Sequence, residues 1–131
     1  MRWVNKSGWD FPARATSDGM LRFLALATLL LLPEPPSLIA IDEPEIGLHP
    51  RLIPRLAELL KDASQRTQIV VATHSPLLLN AEAIQPEDVV VVDLENGETQ
   101  FKRLDSGDLK MWLERFTLGN LWTMGRLETQ P

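Results

Sequence analysis

Two adjacent carboxylates, Asp42 and Glu43, follow directly on the apolar run Leu38, Ile39, Ala40 and Ile41, and His74 ends a similar run, Ile69, Val70, Val71 and Ala72, with Thr73 between. An unpaired ion leaving an apolar core costs roughly several kcal/mol even after relaxation. The pair therefore needs a partner. A divalent cation carrying a phosphate meets both chemistries: Mg²⁺ takes carboxylate oxygens directly or through its waters, and an imidazole donates to a phosphate oxygen. Taken alone, Asp42 and Glu43 read as a strand end, with Glu43-Pro44 as an extended exit. His74 alone reads as a strand-end histidine, and His49, before Pro50, as a packing or interface residue.

The elements that would position these groups follow from periodicity. Ser17 is a candidate helix N-cap, residues 19–32 are rich in Leu and Ala, and Pro33, Pro35 and Pro36 end the run. Being apolar nearly all round, this helix is expected to be buried. Three apolar runs, at residues 38–41, 69–72 and 89–92, suit strands covered on both faces. Ile53, Leu56, Ala57 and Leu60 recur at helical spacing between the first two, and Ser75 and Pro76 open a short helix after the second. Strand, helix, strand, helix, strand reads as a parallel α/β sheet with right-handed crossovers, so all three polar exits share the edge where such sheets bind ligands. Asn96-Gly97 is a hairpin turn that returns residues 99–104 antiparallel to the third strand. Leu109, Trp112, Leu113 and Phe116 mark one face of a closing helix. Residues 1–16 form a lead-in without a clear period, and residues 17–131 form the domain.

Composition limits the alternatives. At 131 residues the chain is about one domain, and its 44% hydrophobic and 24% charged content is that of a folded protein. Without cysteine it has neither disulfides nor thiolate chemistry, which fits a reducing, cytoplasmic setting. A net charge of −5 does not indicate direct nucleic acid binding. The longest apolar stretch, residues 23–32, is half of the roughly 20 residues a spanning helix needs, so no membrane segment is expected.

Here the motifs resemble a known family. "LIAIDE" is similar to the Walker B strand of the ABC-type ATPases, "PEIGLHP" to their D-loop and "VVATHSP" to their switch-histidine strand, while "TSDGMLR", residues 16–22, occupies the place of their signature motif. The branch most resembled is that of the RecF-like and SMC-like ATPases and the small AAA-type ATPases, whose tails resemble "LKMWLERFTLGNLWTMGRLE". The resemblance implies a three-layer α/β core of the P-loop NTPase type, incomplete, mostly parallel, with a C-terminal β-hairpin and closing helix. It implies ATP and Mg²⁺ as ligands: Asp42 holding Mg²⁺ through a water, Glu43 polarising the attacking water, and His74 contacting the γ-phosphate. Ser17 and Gly19 would bind the γ-phosphate of a nucleotide on a second subunit, with Leu48 and its neighbours lining the dimer interface.

Two departures matter. Asp18 replaces a signature glycine, and Thr16 stands in place of a leading leucine. More important, no G-x-x-x-x-G-K-[ST] phosphate loop occurs, since no lysine directly follows any glycine. The chain therefore reads as the C-terminal half of an ATPase, inactive alone, whose partner is a second copy or an N-terminal half bringing the phosphate loop and a further strand. A DNA-repair or defence system is among the settings such ATPases serve. A non-catalytic remnant acting as a dimerisation or regulatory module is the alternative. A metal hydrolase built on Asp42, Glu43, His49 and His74 lacks a paired-histidine ligand spacing.

Overall fold

Ile39, Ile41, Ile69 and Val71 explain the centre of the molecule. They are the inward-facing residues of β3 (Leu38–Asp42) and β4 (Gln68–Ala72), which pair in parallel with Ile39 opposite Ile69 and Asp42 opposite Ala72. Their shared face packs on Leu30 of α1 (Asp18–Leu30) and on Leu56, Leu60 and Ala63 of α2 (Ile53–Ser64). The computed structural model describes residues 2–4, 10–12 and 17–127. Thr16, most of the lead-in and the last residues of the tail lie outside the described residues.

The helix starts follow local chemistry. Ser17 caps α1, its Oγ accepting from the Met20 amide at 3.4 Å. His49 caps a single 3₁₀ turn, Pro50–Leu52, through Nδ1, which accepts from the Arg51 amide at 3.2 Å, and α2 follows at once. Ser75 caps α3 (Pro76–Leu79), its Oγ accepting from the Leu78 amide at 3.3 Å. At the other end of α1, Arg66 donates to the Leu30 carbonyl at 2.7 Å and to that of Leu32, satisfying acceptors that a helix terminus leaves open.

β5 (Val90–Glu95) and β6 (Glu98–Arg103) form the expected antiparallel hairpin. Asn96 and Gly97 both take positive φ, 52° and 83°, as the two-residue turn demands. α4 (Ser106–Leu113) and α5 (Leu118–Thr123) then close over Leu104 and Leu127, with Leu118 and Leu121 buried between.

Four features differ from, or add to, what the sequence led one to expect. First, the third apolar run does not join the parallel sheet: β5 pairs with β6, whereas β4 pairs with β3. A cleft of about 510 Å³, lined by Val71, Ala72 and Val89 to Val92 among others, separates β4 from β5. Run length reports burial, not which neighbour a strand pairs with. Second, α1 is not buried all round: Leu30 is enclosed, but Met20, Leu21 and, just past its end, Leu31 are exposed. One face meets the sheet and α2, and nothing among the described residues covers the other. Third, the lead-in contains an antiparallel pair, β1 (Arg2–Val4) with β2 (Asp10–Pro12). Fourth, the tail folds as two helices, because Thr117 starts a new one by accepting from the Asn120 amide at 3.3 Å.

Candidate functional site

Pairing in register carries the ends of β3 and β4 to one edge, and the ladder continues one step past the strand, with the Glu43 amide donating to the Ala72 carbonyl at 2.8 Å. Asp42 ends β3, exposed at this edge. Glu43 then takes φ 45°, a left-handed conformation rather than the extended exit its place before Pro44 implies. Such a residue carries strain of about 1–3 kcal/mol and persists only where its surroundings fix it. Here they do: the Glu43 carbonyl accepts from Arg22 Nη2 at 2.8 Å and from the Ile46 amide at 3.2 Å. Pro44 is fully buried beneath the turn, and Arg22, a residue of α1, thereby ties that helix to it.

The turn aims the Glu43 carboxylate at His74, Oε1 lying 3.7 Å from Nε2. The Glu43 side chain retains 23% of its accessibility and that of His74 85%. Partial desolvation, then the neighbouring Glu45 carboxyl, hold Glu43 above the ordinary carboxylate range against the pull of His74. His74 also stacks on Trp122 of α5, with ring centroids 6.2 Å apart and planes 24° from parallel. Glu45 is buried and accepts from the Thr73 hydroxyl at 2.5 Å.

Among the described residues no three or more of His, Cys, Asp and Glu converge to hold a metal ion. The donor set of two carboxylates at an open strand edge suits an ion that keeps most of its shell as water and phosphate oxygens, which is the habit of Mg²⁺.

Glu43 and His74 thus meet at this edge, where Asp42 ends β3. Ser17 and Gly19 do not join them: they line a separate cleft with Met20, Gly47, Leu48 and His49. Gly19 has a packing reason to be glycine, since a Cβ there would stand 2.1 Å from the Gly47 carbonyl oxygen. Leu48 turns into the core beside Leu30 and Leu56, so in this turn Ile46 is the exposed apolar residue. Sequence reading gave no role to Glu45 and Thr73, and took Trp122 for a packing residue only. The first two carried a signal: one is a third acid two residues past Glu43, the other a hydroxyl next to His74. Trp122 carried none, because only the fold brings α5 under the β4 exit.

The family model described as "AAA domain, putative AbiEii toxin, Type IV TA system" matches residues 2–80. Among curated proteins, the ABC transporter A family members 12 and 7 of Arabidopsis thaliana are each 39% identical over 66 residues, 50% of this chain. That stretch spans 7% of their length. The SMC head domain from Thermotoga maritima superposes with TM-score 0.63 at 25% identity, covering 79% of this chain and 39% of that one. A structure described under "ATP-driven dimerization and DNA stimulated activation of SMC ATPases" covers 94% of this chain and 69% of its own, with TM-score 0.60 at 19% identity. These likenesses place the α/β core among P-loop NTPase folds, as the motifs led one to expect.

Proposed function

The chain belongs to this AAA-domain family, and from that premise we propose that its strand edge is the hydrolytic side of an ATP site in an ABC- and SMC-like ATPase. One observation carries the reading: Glu43 and His74 leave adjacent parallel strands and meet at 3.7 Å, with Asp42 beside them. Glu43 accepts a proton from, and orients, the attacking water. Its raised pKa brings it nearer the operating pH, where a general base is most effective. His74 would donate a hydrogen bond to the γ-phosphate, and Asp42 would hold magnesium, through one of its waters. Bound Mg-ATP would supply the electrophilic phosphorus, with the magnesium ion offsetting the charge of the carboxylates and the phosphate that of a protonated imidazole.

The phosphate loop comes from polypeptide outside these 131 residues, because no G-x-x-x-x-G-K-[ST] stretch lies within them. Ser17 and Gly19 face the γ-phosphate of a nucleotide held by a second subunit, in a cytoplasmic dimer closed around ATP. The support for this is that they line a cleft of their own, one that Asp42, Glu43 and His74 do not line, and the dimerisation described for the SMC relative. The same absence of a phosphate loop favours a second reading, a non-catalytic module for dimerisation or regulation.

The discriminating experiment joins these residues to the polypeptide that supplies the loop and measures ATP turnover. Glu43→Gln is expected to lower kcat about 10²- to 10⁴-fold, the span of general base catalysis, while nucleotide-driven dimerisation persists. Unchanged turnover removes Glu43 as the base. No turnover in the joined, nucleotide-binding protein selects the module.

A further inference from the structure

Glu45 is the one buried charged residue among those described, about nine-tenths enclosed. An enclosed carboxylate is costly unless its lone pairs are met, and an apolar residue of similar volume would often serve stability as well or better. One oxygen, Oε1, accepts from Thr73 Oγ1 at 2.5 Å. The other, Oε2, is buried without a hydrogen-bond partner. Stability alone therefore does not account for an acid here.

The connections of Glu45 give a reason. Thr73 Oγ1 also accepts from the Ser75 amide at 3.0 Å, so the residues on both sides of His74 belong to one hydrogen-bonded unit. Ser75 in turn caps α3. On the other strand the Glu45 carbonyl accepts from the Leu48 amide at 3.0 Å, fixing the turn that begins at the left-handed Glu43. Glu45 thus joins the loop that aims Glu43 to the loop that carries His74. The His74 side chain is itself 85% accessible and steadied by Trp122 from one side, so its place depends on the backbone that Thr73 and Ser75 hold.

We propose that Glu45 is a positioning residue for hydrolysis: through the Thr73 hydroxyl it holds the exits of β3 and β4 together, keeping the Glu43 carboxylate and the His74 imidazole at working separation. The unpaired Oε2 is the residue of a geometry set for the site rather than for the core. This inference rests on the ATPase reading above.

The test uses the complete ATPase, these residues with the loop-bearing polypeptide, and follows kcat and KM separately. Thr73→Val keeps the shape and removes the hydroxyl; Thr73→Ser keeps the hydroxyl. Thr73→Val and Glu45→Ala are each expected to lower kcat about tenfold to a hundredfold, the cost of misplacing reacting groups by about an ångström, with KM changed less than about threefold. Thr73→Ser recovers most of the rate, and the double variant falls no further than the lower single one. Full kcat in Thr73→Val, a loss carried by KM alone, or additive losses in the double variant each overturn the clamp. Because Thr73→Val is nearly isosteric, it decides the matter even where Glu45→Ala does not fold. Glu43→Gln is run alongside: if it leaves turnover intact, the ATPase reading fails; if it lowers turnover as expected while Thr73→Val keeps full kcat, only the clamp fails.

Discussion

At Gly19 a single methyl group separates packing from ligand binding. Gly→Ala inside a helix ordinarily gains about 0.5–1 kcal/mol by restricting the unfolded chain. The Gly47 carbonyl oxygen would stand 2.1 Å from the new Cβ, an overlap that the backbone of α1 or of the turn must relieve. Overpacking of that kind costs about 1–3 kcal/mol, so Gly19→Ala is expected to destabilise. Urea unfolding decides it: a rise in midpoint would mean that the close approach is absent. The same contact explains why a lone Ser-x-Gly at a helix start says little about phosphate. Ser17 is used by the Met20 amide and Gly19 by the Gly47 carbonyl, before any ligand is considered. Glu43 is the opposite case. Its left-handed turn and its partial burial serve no packing need of its own side chain, and both aim it at His74.

The elements are held in place by polar contacts that periodicity does not show. Lys61 of α2 reaches Asp88 Oδ2 at 2.7 Å, just before β5, and Asp88 Oδ2 also accepts from the Gln85 amide at 3.0 Å. Next to it, Glu87 accepts from the Ser106 amide at 2.9 Å and from its hydroxyl, anchoring the start of α4. Burial pushes Asp88 up, but Lys61, the Gln85 amide and Arg103 outweigh it and leave the carboxyl below its ordinary value. Glu87 is lowered too, chiefly by Ser106. A depressed folded pKa means that the carboxylate form stabilises: the contribution is complete above the unfolded value of about 4 and disappears as pH falls through the folded one. Asp88→Asn should thus lower the urea midpoint at pH 7 by the equivalent of about 0.2–1 kcal/mol, with the gap to the parent closing below about pH 4. A gap independent of pH would show that the ion pair is not its source.

These contacts also bear on what sequence could reveal. The helical spacing of Ile53, Leu56, Ala57 and Leu60 announced α2, and Asn96-Gly97 announced the hairpin, because local periodicity and turn chemistry sufficed. The placement of β5 did not follow, because three similar apolar runs look alike whether or not they share a ladder. Asp42, Glu43 and His74 were legible because a parallel pair brings consecutive strand exits to one edge. The stacking of Trp122 on His74 depends on long-range packing, which no spacing encodes.

At the scale of the whole molecule, surface chemistry makes its own demand. Parallel strands are ordinarily covered on both faces, yet here α1 and α2 cover one side of β3 and β4 while Leu38 and Val70 remain 51% and 56% exposed. On the hairpin, Val92 and its cross-strand partner Phe101 are 55% and 71% exposed, and Leu94 beside them 73%. Between β4 and β5 the cleft of about 510 Å³ brings both strands to an apolar opening. Apolar surface of this extent, next to strand edges, favours association with further polypeptide. Prepared alone, the 131 residues are therefore expected to sediment as oligomers, and Val70→Thr with Val92→Thr to shift them toward monomer. On the proposed function, joining a phosphate-loop polypeptide should suppress the same association, because that reading calls for a further strand beside these. A monodisperse monomer at high concentration would show that the exposed faces need no cover. Association that survives the joining would instead place those faces between two complete subunits.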